Sequence, residues 1–291
     1  MRVNELGRMK RVLRNEGAIV GTAFAALAAG AFLFVIFDRS GAEAQSTVTV
    51  NLPAPVTDQI YGIPDAKGRP IVVIDPGLGG RDPGATSVSG QVSEKDLTLA
   101  LATELRDDLV KHGRVRVAMT RDDDRYLTLE ERADVARRLD AAIFVSLHMD
   151  HAPNPLARGA TVYSVSDVAS DAEAARVAAS ENAGANDNAS DGSVRGMLSD
   201  LAMQQQMSAS ADLAARLVSK SSGRFELRPN PHRFADFHVL RRSDTPAVLF
   251  EAGYISNADD EVFLRSPEQR SKIALALAAA IETDVAARNR H

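Results

Sequence analysis

The sequence predicts an α/β fold, a single domain whose mostly parallel or mixed β-sheet is flanked by helices on both faces. Two observations lead to this prediction. Short apolar runs alternate along the chain with longer stretches in which apolar residues recur every three or four positions. The 291 residues also give room for a leader and one domain with a full hydrophobic core.

The predicted strands are short runs rich in Val, Ile and Ala. They are residues 71–75, 115–120, 142–147, 160–165, 238–240 and 247–250. Because these runs are apolar along most of their length, they are typical of strands buried within a sheet.

The first predicted helix begins after Ser93, continues to about Lys111 and ends at Gly113. Its apolar face consists of leucines at four-residue spacing, namely Leu97, Leu101, Leu105 and Leu109. Residues at this spacing lie on one face of a helix, so we expect this face to pack against the sheet.

Two further helices have clear sequence signals. Thr128 and Glu131 have the spacing of a capping box, which predicts a helix through Leu139. A last helix is predicted from about Pro267 into the C-terminal tail. Its apolar positions are Ile273, Leu277 and Ile281.

The first 44 residues have the pattern of an export signal. A basic flank precedes an uncharged, mostly apolar stretch at residues 17–37, and Ala42-Glu43-Ala44 then matches a signal-peptidase site. The positive flank is expected to stay in the cytoplasm, so the rest of the chain is exported. The stretch is long for a signal peptide and just long enough to span a bilayer. Residues 1–44 are therefore either a cleaved signal peptide or a membrane anchor.

The exported part is predicted to contain one domain with one unusual connection. Residues 45–70 read as a linker, and the domain covers residues 71–287. Residues 169–222 contain no strand signal, and residues 182–193 are mostly Asn, Gly, Ala, Ser and Asp. Connections this long inside a compact domain are usually functional or disordered. Both a regulatory insertion and a flexible surface excursion fit this segment.

Charge and composition exclude several classes of function. The formal net charge of −5 gives no indication of a nucleic-acid partner, and the chain is expected to meet a membrane only through its N-terminal segment. The chain has no cysteine, which excludes disulfides, cysteine nucleophiles and thiolate-bound zinc. Histidine and carboxylate side chains remain as candidate metal ligands.

Candidate catalytic and metal-binding side chains lie at the ends of predicted strands and at the start of a predicted helix. The run Ile71-Val72-Val73-Ile74-Asp75-Pro76-Gly77-Leu78-Gly79-Gly80 is a strand that breaks into a glycine-rich turn. Glu94 begins the first helix, His148 ends the run Ile-Phe-Val-Ser-Leu-His, and Glu251 ends another apolar run. An α/β protein builds its site where strands end, so we expect these side chains to lie together.

These motifs resemble those of the zinc-dependent N-acetylmuramoyl-L-alanine amidases, which cut the peptide stem from the glycan of bacterial cell walls. The matching segments are Asp-Pro-Gly-Leu-Gly-Gly from Asp75, Glu-Lys-Asp from Glu94, the strand ending at His148, and Phe-Glu-Ala-Gly-Tyr-Ile-Ser-Asn around Glu251. The resemblance implies the amidase fold, with zinc as the cofactor and peptidoglycan as the substrate.

The resemblance also implies the roles of individual residues. The three zinc-ligand positions of the family fall on Leu78, Glu94 and His148, and its general base falls on Glu251. A catalytic zinc uses three protein ligands and an open position for water, and leucine has no lone pair to offer. We therefore expect weak zinc binding unless His151 or His238 replaces the missing ligand. Taken singly, Glu94 also fits a residue that merely stabilises its helix, and His148 a hydrogen-bonded surface residue.

Residues 169–222 resemble an insertion of the cell-division amidases in this family. There, a helix covers the zinc site until a partner protein with a LytM-type domain displaces it. The resemblance implies such an activator here, together with a periplasmic location and a role in cell division.

Three functions remain open on the sequence. The leading one is hydrolysis of the amide between N-acetylmuramic acid and L-alanine of the stem peptide, weak or absent in this chain because of Leu78. The second is a catalytically dead pseudo-amidase that binds peptidoglycan or division proteins. The third is a zinc peptidase or deacetylase of other specificity.

Overall fold

The structure, a computed structural model, describes residues 58–184 and 197–288. The apolar stretch at 17–37 and most of the small polar run at 182–193 lie outside these residues. Within the two described ranges, no helix is long and apolar enough to cross a bilayer.

The described residues form a mixed sheet of seven strands. The strands are β1 (Ile60–Tyr61), β2 (Ile71–Pro76), β3 (Arg116–Met119), β4 (Ile143–Asp150), β5 (Ala160–Val165), β6 (Leu227–Ala235) and β7 (Ala247–Tyr254). Their order in the sheet is β1-β3-β2-β4-β7-β5-β6. The central neighbours β3, β2, β4 and β7 are parallel, and β5 is antiparallel to β7. This confirms the predicted mostly parallel or mixed sheet.

Helices cover both faces of this sheet. They are α1 (Glu94–His112), α2 (Leu129–Arg138), α3 (Ala172–Glu181), α4 (Met197–Ser221), α5 (His238–Arg241), α6 (Ala258–Arg265) and α7 (Pro267–Arg288). One core cluster contains α1, α4 and α7 together with Val72 and Ile74 of β2. The other contains α2, α3 and α5 together with Ile71 and Val73 of the same strand. Successive side chains of a strand point to opposite faces, so β2 contributes to both cores.

The predicted helix ends are confirmed. The Thr128 hydroxyl accepts from the backbone N–H of Glu131, and the Glu131 carboxylate accepts from the backbone N–H of Thr128. Gly113 ends α1 with φ +65°, a left-handed conformation that glycine adopts without steric cost. Ser93 precedes α1 as predicted, although its hydroxyl donates to the Asp96 carboxylate at 2.6 Å.

Three parts of the fold differ from the sequence prediction. Residues 238–240, predicted as a strand, begin helix α5, which starts where the backbone N–H of His238 donates to Asn182 Oδ1. The predicted linker 45–70 contains β1, a two-residue strand too short for a periodic signal. Strand β6 was not predicted because Pro229 and Pro231 interrupt it, and prolines are tolerated in strands at the edge of a sheet.

Candidate active site

A cavity of about 530 Å³ opens at the carboxyl ends of β2, β4 and β7. Its walls include the predicted site residues Leu78, Glu94, His148 and Glu251, so the structure brings these four residues together. His148 and Glu251 are direct partners in the register of β4 and β7. The site therefore lies where parallel strands of an α/β sheet usually place one.

A buried carboxylate at the end of β2, that of Asp75, holds the turn after this strand in place. Asp75 is fully buried, and it accepts hydrogen bonds from Thr120 Oγ1 at 2.6 Å, Ser146 Oγ at 2.7 Å and Arg132 Nη1 at 2.8 Å. Burial alone raises the pKa of Asp75, but Arg132 and the two hydroxyls outweigh it and hold the pKa below its ordinary value. Asp75 is therefore a charged anchor for the turn.

Two buried arginines fix the same turn through its carbonyl groups. Arg121 donates to the carbonyls of Pro76 and Gly77 at 2.9 and 2.8 Å. Arg132 donates to the carbonyls of Pro76 and Leu78 at 2.8 and 2.6 Å. Neither arginine was predicted as a site residue, although Thr120-Arg121-Asp122-Asp123-Asp124 is one of the segments that resemble the amidase family. Together they satisfy carbonyls that would otherwise be buried without partners.

Leu78 adopts a backbone conformation that leucine rarely takes. Its φ is +64°, in the left-handed region where non-glycine residues are uncommon. A Cβ added to Gly84 would collide with Leu78 Cδ1 and approach the Glu94 carboxylate, and one added to Gly77 would collide with the ring of His148. Position 78, Glu94 and His148 thus surround one small volume, into which Leu78 contributes only methyl groups.

Glu94 connects three segments around this volume. Its side chain is buried, Oε1 accepts from the backbone N–H of Met149 at 3.1 Å, and Oε2 accepts from that of Ala85 at 3.0 Å. Both donors lie outside helix α1. Glu94 therefore does more than stabilise the helix that it begins.

His148 lies between two carboxylates. Its Nδ1 atom is 3.4 Å from Glu94 Oε1 and 3.0 Å from Glu181 Oε2, and only 6% of the residue is exposed. Burial alone lowers the pKa of His148, but the carboxylates of Glu181 and Glu94 outweigh it and raise the pKa well above its ordinary value. Glu181 is the last residue of α3, inside the predicted insertion at 169–222. Ser180-Glu181-Asn182 belongs to the sequence pattern by which this insertion resembles that of the cell-division amidases, but the pattern did not indicate which residue enters the site.

Glu251 and Asp150 are two buried carboxyl groups on neighbouring strands. In the described part of the chain, Glu251 Oε2 and Asp150 Oδ2 are buried oxygens with no hydrogen-bond partner. Burial raises the pKa of Glu251 well above its ordinary value, and the negative charge of Asp150 adds to the rise. A carboxyl group with a raised pKa in a cavity is suited to proton transfer.

Residues 72–283 match the family described as N-acetylmuramoyl-L-alanine amidase. The N-acetylmuramoyl-L-alanine amidase AmiA of Escherichia coli is 34% identical over 77% of this chain and 80% of its own length. The chain belongs to this amidase family. It also matches longer relatives, such as an AmiC amidase of E. coli of which it spans 53% at 30% identity.

Solved structures of amidases have the same fold. The catalytic domain of CwlV from Bacillus (Paenibacillus) polymyxa is 26% identical, with a TM-score of 0.54 over 73% of this chain and 96% of that domain. The CwlD amidase from Clostridioides difficile, solved in complex with the GerS lipoprotein, is similar in fold at 23% identity. Its TM-score is 0.53, and the match covers 75% of this chain and all of CwlD.

The residues of this amidase family member do not complete the metal site that the family implies. Among residues 58–184 and 197–288, no group of three or more His, Asp or Glu side chains is arranged to hold a metal ion. His151 lines the cavity but is exposed, whereas His238 lies at the start of α5 outside the residues that line it. Glu94 and His148 lie in the cavity with donor atoms that fit a zinc ion, whereas Leu78 has no donor atom to offer.

Proposed function

We propose that this chain is a peptidoglycan amidase of the N-acetylmuramoyl-L-alanine type whose activity is weak or absent because of Leu78. Its substrate bond is the amide between N-acetylmuramic acid and L-alanine of the stem peptide. The observation that carries the proposal is the convergence of Glu94, His148 and Glu251 in one cavity of an amidase fold. A cavity of this kind with buried titratable groups is the default location of an active site.

The retained side chains have distinct roles in this proposal. Glu94 and His148 are the two remaining zinc ligands, and the backbone amides that bind Glu94 hold its carboxylate in place. Glu251 transfers the proton between the attacking water and the leaving amine, a role that suits a carboxyl group whose pKa is raised by burial. Arg121 and Arg132 position the turn that carries residue 78.

Helix α3 is the occluding part of the insertion at 169–222 in this proposal. Its last residue, Glu181, pairs with His148 at the position where a ligand or substrate would bind. Four residues of this helix, Arg176, Val177, Ser180 and Glu181, line the cavity. Displacement of α3, by a LytM-type activator in the cell-division amidases that the chain resembles, would open the site.

The location in this proposal is the periplasm, where peptidoglycan lies, and the export pattern at residues 1–44 supports it. Residues 17–37 would either be removed with the signal peptide or hold the domain at the inner membrane. Mass spectrometry of the protein purified from the producing cell would distinguish the two cases, because cleavage after Ala44 removes a defined mass.

A second function, a pseudo-amidase that binds peptidoglycan without cutting it, is favoured by one observation. Leu78 stands where the family has a ligand, and no three-ligand group exists in the described residues. Pull-down on purified sacculi measures this binding independently of turnover.

The test compares the wild-type chain with Leu78→His and with Leu78→His combined with Glu181→Gln. We expect the double variant to bind one zinc per chain and to release intact stem peptides from sacculi, while the wild type does neither efficiently. Leu78→His, Glu181→Gln, Glu251→Gln is the matched control, which should bind zinc and release nothing. A double variant that binds zinc and sacculi but releases no stem peptide would support the pseudo-amidase. Release of fragments cut inside the stem, or of acetate, would instead identify a peptidase or deacetylase.

A further inference from the structure

Helix α3 has too small an apolar face to explain its position over the cavity. Its buried residues are Ala174, Val177 and Ala178, and it contains ten residues in all. Helices shorter than about 12–15 residues are marginal on their own, so tertiary contacts must hold this one. The contacts at its two ends are polar.

The N-terminal end of α3 is held by a cluster of charged side chains. The Glu173 carboxylate accepts two parallel hydrogen bonds from Arg228, at 2.8 Å from Nη1 and 2.9 Å from Nη2. It also accepts from the Tyr254 hydroxyl at 3.0 Å and from Arg233 Nη1 at 3.2 Å. Bidentate arginine–carboxylate pairs are among the strongest polar contacts in proteins. We call Glu173, Arg228, Arg233 and Tyr254 the latch.

The latch joins α3 to the edge of the sheet rather than to the cavity. Arg228 and Arg233 belong to β6, and Tyr254 is the last residue of β7. None of the four latch residues is among the described residues that line the cavity. Hydrogen bonds from Arg228 lower the pKa of Glu173 to about 2, so Glu173 is ionised at neutral pH.

The C-terminal end of α3 is held by a single amide side chain. Asn182 Nδ2 donates to the carbonyl of Asp236 at 2.7 Å, and Asn182 Oδ1 accepts from the backbone N–H of His238 at 2.9 Å. Glu181 precedes Asn182 in the chain, so this clamp sets its position beside His148. Between the two ends of α3, the Nη2 atom of Arg176 lies 3.6 Å from Oδ1 of Asp150.

We propose that the latch is the element that keeps α3 closed. The ion cluster at Glu173 then governs access to His148 through Glu181, which lies about 12 Å away along the helix. This inference rests on the proposed role of α3 as the occluding helix. Glu173, Arg228 and Arg233 are 31%, 15% and 11% exposed at their side chains, and a partner therefore reaches the latch without entering the cavity. Breaking the cluster releases the helix that carries Glu181 without changing any residue of the cavity wall.

The test measures opening directly on the full-length protein. Hydrogen exchange reports the protection of amides 172–181, and modification of His148 by diethyl pyrocarbonate, read by mass spectrometry, reports access to the site. We expect Glu173→Gln to raise the exchange rate of amides 172–181 and the modification rate of His148 by about tenfold each, which corresponds to about 1.4 kcal/mol. Glu104→Gln is the matched control. Glu104 also accepts two hydrogen bonds from one arginine, Arg270, and it lies in α1 away from α3, so it should leave both rates unchanged.

Glu181→Gln separates failure of the latch from failure of the proposed occlusion. If Glu181→Gln exposes His148 but Glu173→Gln leaves both rates at the wild-type value, α3 occludes the site and the latch is refuted. If neither variant exposes His148, the occlusion itself is refuted and the latch with it. Salt provides a measurement without mutation, because about 1 M NaCl shortens the Debye length to about 3 Å. Opening should then increase more in the wild type than in Glu173→Gln, which keeps the pairs of Arg176 and Glu181; an equal response to salt in the two chains would also overturn the proposal.

Discussion

The turn after β2 and helix α3 both line the cavity, but different interactions hold them. The turn is bound by Arg121 and Arg132, which are 2% and 3% exposed and donate to its carbonyl groups. Helix α3 is bound at Glu173 by ion pairs whose side chains are 11–31% exposed, by Arg176, which is 47% exposed and lies beside Asp150, and by one asparagine clamp. Buried charges are costly to separate, whereas partly exposed ones exchange readily with water and salt.

This difference assigns the two regions different dynamics. A network that is continuous with the core opens only when the whole domain unfolds, whereas a short helix held at its ends opens locally at lower cost. We therefore call the turn after β2 the frame of the site, because it opens only on global unfolding. We call α3 the cover, because it opens locally.

The largest effect is expected from Arg132→Ala. The change leaves the Asp75 carboxylate buried without its cationic partner and removes a donor from the Pro76 and Leu78 carbonyls. Loss of one partner of a buried pair costs about 3–5 kcal/mol of unfolding free energy. Urea unfolding measures this loss of stability. Arg138→Ala is the control, because Arg138 lies on the same helix but pairs with exposed Asp58. The control should lose less than about 1 kcal/mol. Equal losses in the two variants would contradict the distinction between frame and cover.

A second effect is expected when zinc is added to Leu78→His. The turn already holds residue 78 beside Glu94 and His148, and histidine tolerates a positive φ better than leucine does. The variant should fold as well as the wild type, and zinc at 100 times its dissociation constant should add about 2.7 kcal/mol of stability. Thermal unfolding with and without zinc checks this. A similar zinc shift in the wild type would show that another side chain, such as His151, replaces the missing ligand.

Acid should weaken the turn through Asp75. The pKa of Asp75 is lower in the folded chain than its ordinary value near 4, so the unfolded state binds the proton more readily. The contribution of Asp75 is thus present above pH about 4 and is lost as pH falls through its folded pKa. Urea unfolding between pH 6 and pH 2 should show a shallower loss of stability in Asp75→Asn than in the wild type. Parallel curves would mean that Asp75 is not the charged anchor.

The difference between the turn after β2 and helix α3 also explains which site residues could be predicted from the sequence. Glu94, His148 and Glu251 were identified because they follow local signals, a helix start and the ends of apolar strands, and the parallel sheet brings such ends together. Glu181 lies in a segment that resembles the occluding insertion, but its pairing with His148 could not be predicted, because that contact arises only in the tertiary structure. Whether the three predicted residues perform the proposed chemistry is decided by the zinc and peptidoglycan experiments.

The prediction failed where long-range contacts override local patterns. Residues 238–240 are apolar enough for a strand, yet Asn182 binds the backbone of His238 and the segment forms α5. Strand β6 contains two prolines and still pairs with β5, because its other edge is free of a neighbouring strand in the described sheet. Neither contact partner is close in sequence, so no local pattern could indicate them.

The smallest effect on global stability is expected from Glu173→Gln, the same change that should open α3. The helix buries little apolar surface, so a chain with α3 released keeps its sheet and both cores. The unfolding free energy should therefore fall by no more than about 1.4 kcal/mol, the energy of the tenfold change in opening, while the amides of 172–181 exchange much faster than those of β4 up to His148. Hydrogen exchange and urea unfolding on the same samples measure both quantities. If the amides of α3 exchange no faster than those of β4, the helix is part of the cooperative core. Helix α3 and the turn after β2 would then open together, and an activator would have to unfold the domain in order to open the cavity.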